Sequence, residues 1–258
     1  MPRLHRSLLR RYRLFAPRLL RLGLLLLTLL LLCDGIAALR VPQIQAALAL
    51  NMPPAQSSML APLMGDQQTV LASDTFQRAD QPYWGTSSSG QSWQADAQTD
   101  RNFAVSGAAG LINADPACAY CEAILGPVAT TVEVSFSASL NSYDSSALCA
   151  ILRWNGPDNL YKLILDGQTL TVWRVMDGMT IPLQSIAFPA RAEALYTFRF
   201  RAVGSQLSAM VWPTEQPPPT NWQLSVLDSA LSTGRVGIGG LVQNGGQVKI
   251  ATFREVAL

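Results

Sequence analysis

The stretch Asp74-Thr75-Phe76-Gln77-Arg78, followed by Trp84-Gly85-Thr86, marks where the folded part of this chain begins. It stands just after a change in composition near residue 70. Before that point the chain is rich in arginine and leucine. After it, apolar and polar residues alternate between short turns, and a period of two is typical of β-strands. The sequence therefore predicts a targeting segment joined to one β domain.

The N-terminal region has the charge pattern of a membrane segment. Residues 1–21 carry seven arginines and no acidic residue, and the 18 residues between Arg21 and Arg40 contain one charge, Asp34. Since a helix rises ~1.5 Å per residue across a hydrocarbon core of ~30 Å, this run is just long enough to cross a bilayer. We expect 1–21 to be a basic cytoplasmic segment, 22–40 a transmembrane helix or signal peptide, and 41–69 a linker.

Two interpretations of the apolar run remain open. An uncleaved signal anchor would keep the β domain attached to the membrane on its extracytoplasmic side, whereas a cleaved signal peptide would release it. The small-x-small sequence Ala47-Leu48-Ala49 lies far beyond the apolar run, which favours the anchor. Either way the positive-inside rule places the N-terminus in the cytoplasm and the β domain outside.

Composition excludes several function classes for the exported part. Residues 41–258 contain 11 Lys and Arg against 16 Asp and Glu, a net charge of −5, so no nucleic-acid partner is expected. The only histidine is His5, which removes a Ser-His-Asp triad and histidine metal ligands from the domain. We expect no cofactor and no metal.

The exported cysteines suggest a disulfide. Cys118 and Cys121 have zinc-like spacing, but Cys149 is the only further exported cysteine, which does not complete a four-ligand site. Because export favours oxidation, we expect Cys118 to be paired with Cys121, or one of the two with Cys149.

Strand and turn signals run through the rest of the chain. Turn sequences such as Asp166-Gly167 and Gly245-Gly246 separate the candidate strands. Those strands are Phe103–Ser106, Thr131–Leu140, Ala147–Trp154, Leu160–Leu165, Thr169–Met176, Ile181–Phe188, Leu195–Val203, Gln206–Trp212, Trp222–Leu227, Arg235–Leu241 and Gln247–Val256. About a dozen short strands predict a sandwich or jelly roll.

Residues 70–258 resemble the bacterial laminin-G-like, concanavalin A-type jelly-roll domains found in secreted and surface proteins. The motifs that carry the resemblance are Asp74-x-Phe-x-Arg78, Trp84-Gly85-Thr86, Trp93, Phe103-x-Val105-x-Gly107, Arg153-Trp154, Tyr161-Lys162, Val211-Trp212-Pro213 and Gly234-x-Val236-Gly237. The resemblance implies an all-β jelly-roll sandwich. Such domains often end with an aspartate pair before an aromatic residue, where this chain has Ala251-Thr252-Phe253.

Alternation along the central hairpins predicts two faces of a sheet. We expect Trp154, Tyr161 and Trp173 to pack in the core. The opposite face would then carry Arg153, Lys162 and Arg174 as an exposed basic strip that binds an acidic polymer. Trp212 alternates with core residues and should also point outward. If the faces are reversed, the aromatic row would be the ligand platform.

The resemblance extends to glycoside hydrolases, but the catalytic pattern of that family is missing. It typically carries Glu-x-Asp-x-x-Glu on one strand, and no such run occurs here. We therefore expect no enzymatic activity. The first hypothesis is a membrane-anchored extracytoplasmic module that binds a glycan or an envelope component. The second is a structural or assembly subunit of an envelope protein complex.

The arginine asymmetry predicts the topology of the chain. A protease added outside the membrane should digest the region after Arg40, while residues 1–21 stay protected. Immunoblotting of an N-terminal tag before and after membrane permeabilisation measures this. A tag that is accessible from outside would contradict the prediction.

Overall fold

The fold is seen in a computed structural model that describes residues 68–115 and 120–258. The predicted basic segment, the predicted membrane helix, nearly all of the linker and Cys118 lie outside these residues. No helix in the described part of the chain is long and apolar enough to cross a membrane.

The described residues form sixteen strands and one short helix. In chain order they are β1 (Val70–Asp74), β2 (Gln81–Pro82), β3 (Gln94–Ala95), α1 (Asp96–Thr99), β4 (Phe103–Ser106), β5 (Ala109–Asn113), β6 (Tyr120–Ala129), β7 (Val132–Leu140), β8 (Ala147–Trp154), β9 (Leu160–Leu165), β10 (Thr169–Met176), β11 (Met179–Ala187), β12 (Tyr196–Val203), β13 (Gln206–Pro213), β14 (Leu224–Leu227), β15 (Gly234–Leu241) and β16 (Gln247–Ala257).

These strands make two antiparallel sheets. One has nine strands in the order β14-β13-β12-β7-β16-β5-β4-β2, with β1 also paired to β16. The other has seven strands in the order β11-β10-β9-β8-β15-β6-β3. One continuous apolar core draws residues from both, including Phe136 and Phe198 from the first and Leu152 and Tyr161 from the second. The predicted all-β jelly-roll sandwich is confirmed for the described residues.

The strand predictions agree with the structure to within two residues at each end. The differences are omissions: β1, β2, β3, β5 and β6 were not predicted. β2 and β3 are only two residues long, which is too short for alternation to show. β6 contains Gly126 and Pro127, which weaken a strand signal, and its pairing with β15 is irregular at that point.

The opening motif is held together by one buried carboxylate. Asp74 is fully buried at the end of β1. Its oxygens accept hydrogen bonds from both terminal guanidinium nitrogens of Arg78 at 2.8 and 3.0 Å, from the Trp93 indole at 2.7 Å and from the Phe76 amide at 2.9 Å. Burial alone would raise the pKa of Asp74, but the hydrogen bonds from Arg78 and Trp93 outweigh it, and the pKa is lowered.

The same motif builds an aromatic cluster at this end of the sandwich. Trp84 contacts Phe76, Trp93 and Phe103 edge to face, with ring centroids 4.7–5.1 Å apart. Trp93 in turn meets Phe253 of β16 at 5.0 Å. The loop before β4 is thus fixed to the C-terminal strand through aromatic contacts, each worth about 0.5–1.5 kcal/mol beyond the area they bury.

Asp74→Asn should lower the free energy of unfolding by about 3 kcal/mol, because it leaves the Arg78 guanidinium without its counter-charge. Urea denaturation at pH 7 measures this. Asp80→Asn is the matched control, since Asp80 is exposed and receives its hydrogen bonds at the protein surface. Since the pKa of Asp74 is lowered, its contribution is present above pH 4 and lost in stronger acid. Equal stability of Asp74→Asn and wild type would contradict the central role of this carboxylate.

A second buried acid is unpaired. Glu255 of β16 is fully buried, and neither carboxylate oxygen has a hydrogen-bond partner among the described residues. It fits only because residue 126 opposite it is glycine, where a Cβ would clash with Oε2. Burial raises the pKa of Glu255 from 4.5 to about 8, and Arg235 lowers it only in part.

Glu255 therefore makes stability depend on pH. Its folded-state pKa is raised, so the stability is fully present below about pH 4.5 and is lost as the pH rises towards 8. We expect Glu255→Gln to remove this loss and to be the more stable protein at pH 9, by on the order of 4 kcal/mol. Urea denaturation of both proteins between pH 5 and pH 9 checks it. Parallel pH profiles for the two would show that Glu255 does not titrate in this range.

Candidate functional site

The outer face of the seven-stranded sheet, meaning the side that points away from the core, collects aromatic and charged side chains from four strands. Strand register places one row across this face: Trp173, Lys162, Ile151, Gly237 and Ile124. Lys162 thus stands directly beside Trp173. The central strand β15 contributes glycine at this row, so neighbouring side chains extend across it.

A β-bulge at Arg153 decides which side chains reach this face. Trp154 pairs with Arg235 and Ile151 pairs with Gly237, so two residues of β8 stand opposite one of β15. Arg153 takes a positive φ of 50° at the bulge. The extra residue breaks the alternation, so Trp154 lies on the outer face and Arg153 turns inward.

Arg153 is consequently a structural residue in this fold. It is 1% exposed, and its guanidinium donates to the carbonyl oxygens of Leu231, Thr130 and Gly204 at 2.5–3.0 Å. The predicted exposed strip of Arg153, Lys162 and Arg174 therefore does not form. The prediction of an exposed strip is wrong because the bulge interrupts the alternation of side chains along β8.

Arg174, the third residue of the predicted basic strip, lies on the opposite face of the seven-stranded sheet from Lys162. Four residues separate the paired Leu165 and Leu170, where a three-residue loop was predicted. A one-residue change in register moves every side chain of a strand to the other face. Arg174 therefore stands beside Tyr161, and both bind Asp228, at 2.7 Å from Arg174 Nη1 and 2.6 Å from the Tyr161 hydroxyl.

The predicted aromatic row is split by the same changes. Tyr161 is buried in the core, as expected, but Trp154 and Trp173 are half-buried on the outer face. Two of the three aromatic residues thus stand on the side that was expected to be basic, with Lys162 on the same face.

Hydrogen bonds fix the centre of the outer face. The Trp154 indole donates to Glu122 Oε2 at 2.7 Å, and Lys162 Nζ lies 3.7 Å from Glu122 Oε1. The same ammonium stands over the Tyr120 ring, 3.4 Å from its centroid. Each of these side chains is held by another, so the face presents a preorganised surface.

Glu122 was not singled out from the sequence, although it alternates outward with Tyr120 and Ile124 along β6. Its amide donates to Asp96 Oδ2 at 2.8 Å, which brings a second carboxylate nearby. Burial raises the pKa of Glu122, while Trp154 and Lys162 oppose the increase. Both carboxylate oxygens are engaged and the residue is 5% exposed, so it supports the surface.

The free thiol beneath this surface is not suited to nucleophilic chemistry. Cys149 lies under Tyr120, whose hydroxyl is 2.9 Å from Sγ. Burial raises the pKa of the Cys149 thiol to about 12, so it is protonated at neutral pH. Among the described residues no cluster of three or more His, Cys, Asp or Glu side chains is placed to hold a metal ion.

The structure describes only one of the two cysteines of the predicted Cys118–Cys121 disulfide. Cys121 is disulfide-bonded, while Cys149 is free, so the alternative pairing through Cys149 is excluded. Cys118 lies outside the described residues, and its pairing stays a prediction.

Trp212, the remaining predicted ligand residue, lies on the other sheet. It pairs with Thr197 on the outer side of the nine-stranded sheet and is half-buried there. It points away from the core, as its alternation with Val211 predicted, but it does not join Lys162 in one site.

Comparisons with known proteins establish the fold. No family model matches the chain, and no curated protein matches it. Among solved structures, the xylan β-1,4-xylosidase from Bacillus halodurans is similar with a TM-score of 0.54 at 11% identity, over 71% of this chain and 38% of that chain. The GH43 BlXynB protein from Bacillus licheniformis has a TM-score of 0.50 at 12% identity, over 72% and 39%.

The carbohydrate binding module CBM66 from Bacillus subtilis is similar at a TM-score of 0.46 and 11% identity, over 55% of this chain and 85% of that one. This chain covers less than two fifths of either of the two longer Bacillus chains. At these identities the likeness concerns the fold alone, and the two Bacillus structures with TM-scores of 0.54 and 0.50 support the jelly-roll sandwich described above.

Proposed function

We propose that this chain is a membrane-anchored, extracytoplasmic module that binds a glycan or another cell-envelope component without chemical conversion. The observation that carries the proposal is the pair Trp154 and Trp173, which share the outer face of the seven-stranded sheet with Lys162. Half-buried tryptophans offer an apolar ring to the faces of sugars. The Trp154 ring is already held by its hydrogen bond to Glu122, so it loses little conformational entropy on binding.

The polar groups around the two rings complete a saccharide surface. Lys162, which stands beside Trp173, provides donors, and Arg235 lies beside Trp154. Glu122 holds Lys162 and the Trp154 indole in place. Sugar hydroxyls form hydrogen bonds with groups of this kind, while the C–H faces of the sugar pack on indole. A binding site made of fixed aromatic rings with a few placed polar groups is the usual design of ligand sites.

The low accessibility of the carboxylates on this face favours binding without catalysis. A glycosidase needs two carboxylates with access to the scissile bond. On this face Glu122 is nearly inaccessible and its oxygens are held by Trp154 and Lys162. Asp96 is committed to the Glu122 amide. We therefore assign this pair a supporting role.

A specific observation favours a second candidate, an assembly subunit. The edge strands β11 and β14 meet where Gln184 accepts a hydrogen bond from the Ser225 amide. On these strands Met179, Ile181 and Leu227 are exposed by 66%, 41% and 75%. Exposed apolar side chains at sheet edges are typical of contacts with other proteins.

Trp173→Ala should weaken glycan binding by about tenfold or more, since a central aromatic contact is removed. The measurement is a pull-down of the full chain, purified in detergent, on xylan, β-1,3-glucan and peptidoglycan, followed by calorimetry with the polymer that binds best. Trp222→Ala is the matched control, because Trp222 is also half-buried but lies against Arg199 and Arg201 of the nine-stranded sheet.

Three results would count against the proposal. Equal loss of binding in Trp173→Ala and Trp222→Ala would remove the assignment to this face. Failure to bind any of the three polymers, together with a stable heteromeric complex after cross-linking in native membranes, would favour the assembly subunit. Release of reducing ends that disappears in Glu122→Gln would show that the module is an enzyme.

A further inference from the structure

The outer face of the nine-stranded sheet has a floor of small hydroxyl side chains. Strand register places Thr252, Ser137 and Thr197 in one row across β16, β7 and β12. The neighbouring row holds Ser73 and Ser135. These residues line a depression with a volume of about 300 Å³, which is at the small end of the range for small-molecule sites.

One arginine stands in this floor without a partner. Arg254 lies directly between Ser73 and Ser135 in the strand register and is exposed. In the described part of the chain its guanidinium has no ion pair and no hydrogen bond, and the hydroxyls of Ser73, Ser135 and Thr252 have none either. Ser73, Arg254 and Ser135 are direct cross-strand neighbours, and Thr252 lies two residues before Arg254 on β16, so these four polar groups are free to bind a ligand.

The charge of this face is opposite to that of the domain. Arg199 and Arg201 of β12 share a single carboxylate, Glu133, with donor–acceptor distances of 2.7–3.0 Å. With Arg254 the face carries three guanidinium groups against the carboxylate of Glu133, which is itself buried beneath Arg199 and Arg201. Asp74 also borders the depression, but its charge is balanced by Arg78. A positive patch on a domain whose residues 70–258 carry a net charge of −4 is expected to attract anions.

An aromatic side chain ends the row of hydroxyls. Trp212 pairs with Thr197, so the row runs from Thr252 through Ser137 and Thr197 to a half-buried indole. Strands are ~4.8 Å apart, which places the Trp212 backbone about 14 Å from that of Thr252. That length accommodates more than one sugar ring, with the guanidinium at one end and the aromatic ring at the other.

From these contacts we infer a second binding site, for an acidic saccharide, at Arg254. The carboxylate of the sugar pairs with the Arg254 guanidinium, whose planar fork matches a carboxylate in two parallel hydrogen bonds. The sugar hydroxyls lie on Ser73, Ser135 and Thr252, and a further ring stacks towards Trp212. The site is on the opposite side of the sandwich from Trp154 and Trp173 and does not rest on them.

The short hydroxyl side chains that line the depression favour a saccharide over other anionic ligands. A membrane surface would be held by long, flexible cations, and Lys249 is the only lysine on β16. A hydroxyl-lined depression instead offers many short donors and acceptors at fixed spacing. That pattern suits the hydroxyl groups of a ring better than it suits an array of phosphates.

The test uses the full chain in detergent with oligogalacturonate as the probe, and calorimetry as the readout. Arg254→Ala should weaken binding by about tenfold or more, because a charge-assisted pair is lost. Lys249→Ala is the matched control: it removes one exposed cation from the same strand and should change the affinity less than about twofold. Ser135→Ala, which keeps the charge, should weaken binding measurably while the melting temperature stays unchanged.

Several outcomes would overturn the inference. Equal weakening by Arg254→Ala and Lys249→Ala would show general charge attraction. Equal affinity for the methyl-esterified, neutral oligosaccharide would remove the role of the carboxylate. Binding to phosphatidylglycerol vesicles, with no binding to oligogalacturonate, would assign the patch to the membrane. Trp173→Ala separates the two sites, since it should leave oligogalacturonate binding at Arg254 intact.

Discussion

The buried carboxylate of Asp74 is the interaction on which the start of this domain depends. A charge in the interior is tolerated only when its hydrogen-bonding capacity is filled. Here the guanidinium of Arg78, the indole of Trp93 and the Phe76 amide fill it. These partners lie in the loop that leads from β1 towards α1. One acid therefore fixes the path of a segment that has little regular secondary structure.

That fixed segment closes one end of the sandwich through aromatic packing. Trp84 and Trp93 join the opening loop to Phe103 of β4 and to Phe253 of β16. The contact between Trp93 and Phe253 links the beginning of the domain to its last strand. Residues far apart in the chain thus share one apolar cluster, and loosening the carboxylate would expose it.

The two outer faces of the sandwich offer different chemistry to a ligand. On the seven-stranded sheet, Trp154 and Trp173 stand beside Lys162 and the buried acid Glu122. On the nine-stranded sheet, short hydroxyls surround Arg254. Large rings suit the apolar side of a sugar, whereas a guanidinium among hydroxyls suits a carboxylate. Both surfaces are built on strands, so their side chains are held more rigidly than loop residues would be.

The sequence by itself determined the fold class, most strand boundaries and the opening motif, because alternation and turn residues are local signals. It also determined that Trp212 points outward. Only the tertiary structure decided which face carries Arg153, Trp154, Trp173 and Arg174. A bulge at Arg153 and a one-residue change of register after Leu165 reverse the side-chain directions, and both depend on pairing with neighbouring strands. The roles assigned to Glu122 and Arg254 likewise depend on side chains of neighbouring strands that are distant in sequence.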